Sequence, residues 1–381
     1  MLSVLVNIPL ASVICLGVVV LLLLLYYFAL YGRFVFRKEK RPVPVDDLPP
    51  VSVVLTARDE SHLLIKSLPV LLSQDYPNYE VVVVNDNSID ETADLVNEFR
   101  NNYPNLHYVD LTSSISNIRG KKFPLALGIK AANNEIVVLT DASSIPSSPY
   151  WLQHIAGRFT RKTRVVYGGV SVMRKQGLLN ALMRFDAVRN MIIAFSYTLA
   201  GMPVMANGRN LAYTRTLFLE NREKFVSQPR MPYGDDDVFM NQVATSVTCD
   251  VEPDPDALIS QTGLTPSRWF QQKKAAFVTR SYYNFVSRLL LKMYNLFSLL
   301  FYAAFVCMVI FCVKDKDIVL LCIGLGTFVV KVASQYVVFG KAAQKINEKG
   351  LTPFVFLYDL IFVLLNPFVN FLSKFEKRKW R

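Results

Sequence analysis

Histidine is nearly missing from this sequence: His62, His107 and His154 lie scattered along 381 residues. A His-based zinc site or a Ser-His triad therefore has little support. The five cysteines (Cys15, Cys249, Cys307, Cys312 and Cys322) have no metal-binding spacing, and four of them fall in apolar runs. They read as small buried residues in a reducing compartment. No GxGxxG follows the first strand-like segment and no GxxxxGK[ST] occurs anywhere. Dinucleotide-dependent redox chemistry and P-loop ATPase chemistry are weakly supported for that reason. The formal charge of +12 would suit nucleic acid, but the positive residues cluster beside apolar runs. Their position predicts anionic membrane lipid as the basic partner and no nucleic acid.

Apolar sequence is what the chain has in quantity. Residues 8–31 form an uncharged run long enough to cross a bilayer, and further runs occupy 289–313, 318–339 and 354–371. No basic residue precedes the first run, no small-residue cleavage site follows it, and Arg33, Arg37, Lys38, Lys40 and Arg41 crowd its far end. That pattern predicts an uncleaved anchor with its amino terminus outside and the next domain in the cytoplasm. Val313-Lys314-Asp315-Lys316-Asp317 permits only a tight hairpin between runs two and three, and Lys341, Lys345 and Lys349 mark the return to the cytoplasmic side. The fourth run contains Asp359, Asn366 and Pro367 and leads into a basic tail, so spanning would break the positive-inside tendency. A re-entrant hairpin or a helix lying in the interface is expected there. The division expected is an anchor over 1–41, a soluble domain over 42–285 and a membrane region over 286–381, in a multi-pass plasma-membrane protein.

Within 42–285, strand-like runs alternate with helical ones: 51–57, 81–84, 106–111 and 136–139 are the strands. This alternation predicts an α/β domain with a mostly parallel sheet that binds ligands at the strands' carboxyl ends. Asp59, Glu60, Asp86 and Asp141 all fall at such ends. Residues 176–200 form an apolar-rich helical stretch with few charges, expected in the core rather than against the membrane.

Three segments together carry a resemblance: VSVVLTARDE, LLSQDYPNYE and VVVVNDNSIDET. They resemble the nucleotide-sugar-binding half of the inverting GT-A glycosyltransferases of family two, over roughly residues 50–285. Membrane segments on both sides resemble the branch that includes poly-N-acetylglucosamine and hyaluronan synthases. The resemblance implies a GT-A fold in which Asp86 accepts hydrogen bonds from uracil while Ala57 and Glu60 line the nucleotide pocket. An ionised carboxylate, a pure acceptor, suits an imide N–H; the competing role for Asp86 is a turn cap before Ser88. Lys121 and Lys122 match basic residues near the base and diphosphate, and a solvated charged turn is the alternative.

In the second half, ANGRNLAYTR resembles the family's turn beside the donor sugar, where Asn210 either bonds sugar hydroxyls or fixes the turn. The Gly234-Asp235-Asp236 segment resembles the element carrying the catalytic base. By that match Asp236 takes the acceptor's proton, Asp235 is second choice, and helix capping is the competing explanation. Polymerising members carry Gln-x-x-Arg-Trp where this chain has Gln271-Gln272-Lys273-Lys274-Ala275. Gln271 and Lys274 match donor-side positions, while alanine at the tryptophan position argues for adding one sugar or a few. Arg268, Lys273 and Lys274 equally suit an interfacial cluster with Trp269.

The last motif is broken. In the family an Asp-x-Asp ligates Mg²⁺ or Mn²⁺ on the diphosphate, whereas here Asp141 is followed by Ser143. Two readings stay open: a weakened metal site of Asp141, Ser143 and the diphosphate, which is preferred, or neutralisation of the leaving group by Lys121, Lys122, Lys273 or Lys274. The activity implied is transfer from a nucleotide sugar, a UDP-sugar first, to a glycan or lipid-linked glycan at the inner leaflet. A processive polysaccharide synthase and a non-catalytic membrane scaffold are the rival readings.

Overall fold

The computed structural model describes residues 8–38, 44, 47–111, 122–228, 234–244 and 247–379. Lys121 lies outside these described residues.

Strands β1 (Val51–Ala57), β2 (Tyr79–Asn85), β3 (Leu106–Asp110) and β4 (Ile136–Leu139) pair in parallel in the order 3-2-1-4. All of β1 and β4 is buried, because helices cover both faces of a parallel sheet. Those helices include α2 (Ser61–Leu72), α3 (Thr92–Asn102) and α4 (Lys122–Ala131), with α1 reserved for the apolar amino-terminal helix. Beyond β4 the sheet continues through β8 (Leu211–Thr214), β6 (Thr163–Gly168) and β9 (Thr248–Glu252). Only β8 runs antiparallel to its neighbours, so the sheet is mostly parallel, as expected. A second sheet of three short strands joins β5 (Ser144–Pro146), β10 (Ile259–Gln261) and β7 (Val170–Val172). Since β5 begins just after Asp141, this small sheet ties the end of β4 to the second half of the domain.

Among the described residues, four helices are long and apolar enough to cross a membrane. The first, α1, runs from Ile8–Leu24 through a π-helical stretch, Leu25–Tyr31, into Gly32–Val35. The others are α11 (Phe285–Lys314), α12 (Ile318–Lys345) and α13 (Val355–Lys379), the preceding helices of the domain being α5 to α10. The hairpin alternative for the fourth run is not realised: α13 is one continuous helix with Pro367 inside it. The run's one acid does not force a turn because it is satisfied in place. Asp359 pairs with Lys331 Nζ at 3.1 Å and accepts from the Tyr302 hydroxyl at 3.2 Å.

The stretch expected in the core is a 22-residue helix, α6 (Leu178–Leu199), and it is mostly buried. One side faces the sheet's second half and the other faces the membrane helices. Phe185 stacks on Phe339 with centroids 4.7 Å apart and lies 5.2 Å from Tyr358.

Candidate active site

The strand ends come first. β1 and β2 are in register so that Ala57 lies beside Asn85, and Asp86 N donates to Ala57 O at 2.8 Å. Asp86 is buried, with Arg58 Nη1 3.7 Å from its carboxylate. The turn bond to Ser88 N comes from Asn85 Oδ1 at 3.1 Å, so that capping role falls to Asn85. Glu60 stands at the amino end of α2 without capping it. Ala57, Glu60 and Asp86 therefore share one corner of the sheet's carboxyl edge.

Next to that corner is a cavity of about 280 Å³, which Thr56, Thr140 and Asp141 enter from the ends of β1 and β4. Its other walls are the turn 205–209, residues 234–237 and one face of α10 (Pro266–Thr279) with the segment after it. Ala57, Glu60 and Asp86 border this cavity without lining it.

Three carboxylates open α9 (Asp235–Val243), whose amino-terminal cap is Gly234 in the left-handed conformation. The cap position itself offers no side chain, and the three acids that follow fan out by about 100° each and meet different surroundings. Asp235 turns inward towards Lys122 Nζ at 3.7 Å, and burial pushes its carboxyl up to about 7 against that cation. Asp237 accepts from Ala206 N at 3.0 Å and from the Tyr283 hydroxyl; burial pushes it up to about 7 as well. Asp236 is the half-exposed one, and it packs against Gly208 so closely that a β-carbon there would collide with Asp236 Oδ2. Of the three, it is the one whose side chain is half-exposed at the cavity wall.

Asn210 proves to be structural. It is buried, and its side chain accepts from Trp151 Nε1 at 3.0 Å and donates to Gly169 O and Ala257 O at 2.8 and 2.9 Å. All of its strong bonds are spent inside the protein, and Gly168 lacks a side chain because Asn210 fills that space. The turn it anchors presents the neighbouring residue instead. Arg209 lines the cavity, and its Nε stands 2.8 Å from Asp141 Oδ2. This is an ion pair rather than an aligned hydrogen bond.

That pairing bears on the expected metal. Asp141 Oδ1 accepts from Ser143 N at 3.0 Å, from Ser143 Oγ at 2.7 Å and from Ser144 Oγ at 2.7 Å. Ser143 does not line the cavity; its hydroxyl hydrogen is committed to Asp141. Asp141 and Ser143 thus form one closed hydrogen-bonded unit facing an arginine, not two outward ligands. A hard dication wants several free oxygens at about 2.0–2.2 Å, so this donor set does not fit Mg²⁺ or Mn²⁺. Among the described residues the one grouping of three ligand side chains is His154, Asp254 and Asp256, none of which lines the cavity.

On α10 the helical phase differs from the motif-based expectation. Gln271 is exposed, and neither it nor Lys274 lines the cavity; Trp269, Gln272, Lys273 and Ala276 do. These positions follow i, i+3, i+4, i+7, the spacing of one helix face. Asp186 on α6 fixes that face, accepting from Lys273 Nζ at 2.8 Å and from Trp269 Nε1 at 2.9 Å. Burial pulls Lys273 down to about 8 despite the carboxylate beside it. Lys122, half-buried, is also lowered by loss of water. With Arg209 and the half-buried Arg280, the cavity collects four cations against Asp141, Asp186 and the three acids of α9.

Sequence reasoning reached Asp235, Asp236, Asp141, Lys122 and Lys273 in this cavity but passed over Arg209, Asp186 and Arg280. The α10 face, with Gln272 and Lys273 on it, carries no apolar periodicity to mark it, and nothing local distinguished Arg209 from any other turn arginine.

The structure resembles the mannosyltransferase PcManGT of Pyrobaculum calidifontis, solved with GDP-Man and Mn²⁺, with a TM-score of 0.55 over 88% of this chain and 98% of that one. At 17% identity that likeness speaks to fold alone. The probable glycosyltransferase YdaM of Bacillus subtilis is 29% identical over 42% of this chain and 42% of its own length. The poly-beta-1,6-N-acetyl-D-glucosamine synthase of Staphylococcus epidermidis is 27% identical over 58% of this chain and 51% of its own. The chain spans about half the length of these curated relatives. The model of the family described as "Glycosyltransferase like family 2" matches residues 49–283, well over half of the sequence. With a GT-A-like sheet, a carboxylate-lined cavity at its carboxyl edge and that match, the chain belongs to glycosyltransferase family 2.

Proposed function

We propose that this protein is a membrane-anchored inverting glycosyltransferase that moves a sugar from a nucleotide sugar, a UDP-sugar first, to a glycan or lipid-linked glycan at the inner leaflet. The observation that carries the reading is Asp236, held against Gly208 at the wall of a cavity that also takes in Asp141 and Arg209. A carboxylate there is suited to take the acceptor's hydroxyl proton as that oxygen attacks the anomeric carbon from the face opposite the leaving diphosphate. Its place in the first turn of α9 favours the ionised form a base needs. Asp86, Ala57 and Glu60, at the neighbouring corner, are assigned the nucleoside. The catalytic domain faces the cytoplasm, with α1, α11 and α12 as spans and α13 lying along the interface. The alanine at 275 favours addition of one sugar, or a few, over a long polymer.

A calorimetric screen of UDP- and GDP-sugars against the detergent-purified chain tests the donor, and transfer assays with Asp236→Asn test the base. Nucleotide binding should persist in Asp236→Asn while transfer falls by about 10³-fold or more. Transfer undiminished in that variant would remove Asp236 from the step. Long polymer made by the purified parent would favour the processive reading instead.

A further inference from the structure

We infer that Arg209 supplies the neutralisation of the leaving diphosphate that a divalent cation supplies in family members with two acids at this strand end. In this arrangement Asp141 is a positioning residue for that arginine. The inference rests on the glycosyltransferase reading of the cavity.

Four observations converge on it. First, both oxygens of Asp141 are engaged, Oδ1 by Ser143 and Ser144 and Oδ2 by Arg209. A dication placed there would have to displace a guanidinium and then sit beside its positive charge. Second, among the described residues Asp141 is the guanidinium's sole partner, so most of its five donors are unspent at a cavity wall. A planar fork of N–H groups matches phosphate oxygens in a way a lysine does not. Third, the turn carrying Arg209 is rigid: Arg209 N donates to Asn207 Oδ1 at 3.2 Å, Asn210 N to Asn207 O at 3.0 Å, and the Asn210 side chain is locked on three partners. A donor fixed in advance costs little reorganisation when charge develops. Fourth, Gly208 touches Asp236 and Arg209 is the next residue. The group that accepts the proton, on α9, thus packs against the same turn that carries the group meeting the departing charge.

The step balances without a metal. The acceptor oxygen bonds to the anomeric carbon, and its proton passes to Asp236. The bond from that carbon to the diphosphate oxygen breaks, and its electron pair leaves on the nucleoside diphosphate facing Arg209.

The test is calorimetry on the full chain in detergent, titrating UDP and uridine, with GDP and guanosine in parallel, in Mg²⁺ and in EDTA. The parent should bind the diphosphate with the same Kd in both buffers, within about two-fold. Arg209→Met should weaken diphosphate binding by about ten-fold or more in both while leaving the free nucleoside's affinity unchanged. Arg209→Lys should recover part of the loss, and Asp141→Asn should give a smaller loss with the same selectivity for the diphosphate. Ser143→Asp combined with Arg209→Met should create binding that Mg²⁺ strengthens. Diphosphate binding that EDTA abolishes in the parent would overturn the inference and leave the glycosyltransferase reading standing. An Arg209→Met loss shared equally by diphosphate and nucleoside would also overturn it, since that is the mark of a merely structural residue. Failure of every nucleotide to bind, with or without metal, would overturn the functional reading itself.

Discussion

Asp236 depends on the absence of a side chain at Gly208. A β-carbon there would collide with Asp236 Oδ2 and drive the carboxylate away from its place in the cavity. Gly208→Ala is therefore expected to lower kcat by about 10²-fold, the cost of misplacing a catalytic group by an ångström, while the thermal unfolding midpoint stays close to the parent's. A parallel fall in both would mean that the glycine serves folding instead. Asp237, one residue on, governs a pH effect. Its carboxyl is pushed up to about 7 from an ordinary value of 3.8. Between those values the folded protein keeps a proton that the unfolded chain has released, so this contribution to stability is present below about pH 4 and lost as pH rises to 7. The unfolding midpoint in detergent should fall from roughly pH 5 to 7.5, and less steeply in Asp237→Asn. An identical slope in the variant would assign the effect elsewhere, Asp235 being the next group to examine. At this scale, legibility followed chemistry. Asp86, Asp141 and Asp236 stand in motifs whose spacing announces them. Asn210 and Arg209 sit in the same short turn, and which of two polar neighbours faces inward was decided by contacts with Trp151, Gly169 and Ala257. Those partners lie 41 to 59 residues away in the chain.

The parallel strands were legible because a run of four or more apolar residues between helical segments has few other fates. The reversed strand β8 was not, since antiparallel direction depends on a crossover that no local pattern records. In α10 the motif suggested Gln271 and Lys274, whereas the helix turns Gln272 and Lys273 inward, because Asp186 on another helix fixes its rotation. For α13 the polar residues misled towards a hairpin. The partner of Asp359 is the buried Lys331, whose ammonium donates to Asp359 and Gln335 at 3.1 and 2.9 Å. Such a pair among apolar helices is costly to break and cheap to replace whole. Asp359→Leu alone should destabilise the protein by about 3–5 kcal/mol, while Lys331→Met with Asp359→Leu should return to within about 1–2 kcal/mol of the parent. Thermal unfolding in detergent measures both. Equal losses in the single and double variants would show that the helices are held by packing rather than by satisfying the charge.

Composition divides the chain into an apolar amino-terminal run, a mixed-charge middle and an apolar carboxyl-terminal part, yet packing crosses both of these boundaries. Phe34 of α1 meets Phe195 of α6 edge to face with centroids 5.1 Å apart, and Arg37 pairs with Asp250 of β9 at 2.7 Å. On the other side Phe185 stacks on Phe339 of α12, and Arg184 pairs with Glu348 and donates to Lys349 O at 2.6 Å. One hydrophobic cluster consequently includes strand residues such as Val137 and Val165 together with Leu16, Phe301 and Phe362 of the membrane helices. Composition hides this, because α6 has the same apolar character whether it faces a sheet or a membrane helix. Cutting the chain at the domain limits would strip α6 of one of its two faces. It would leave Arg184 buried without its carboxylate and uncover Phe185 and Phe195 together. Exposed apolar surface of that kind drives association in water. A fragment of residues 49–284 is therefore expected to aggregate, or to bind a hydrophobic dye and unfold without cooperativity, whereas the full chain in detergent unfolds in a single transition. A soluble fragment that unfolds cooperatively and binds UDP as tightly as the full chain would show that the sheet carries its own sufficient core, and that the membrane helices only tether it.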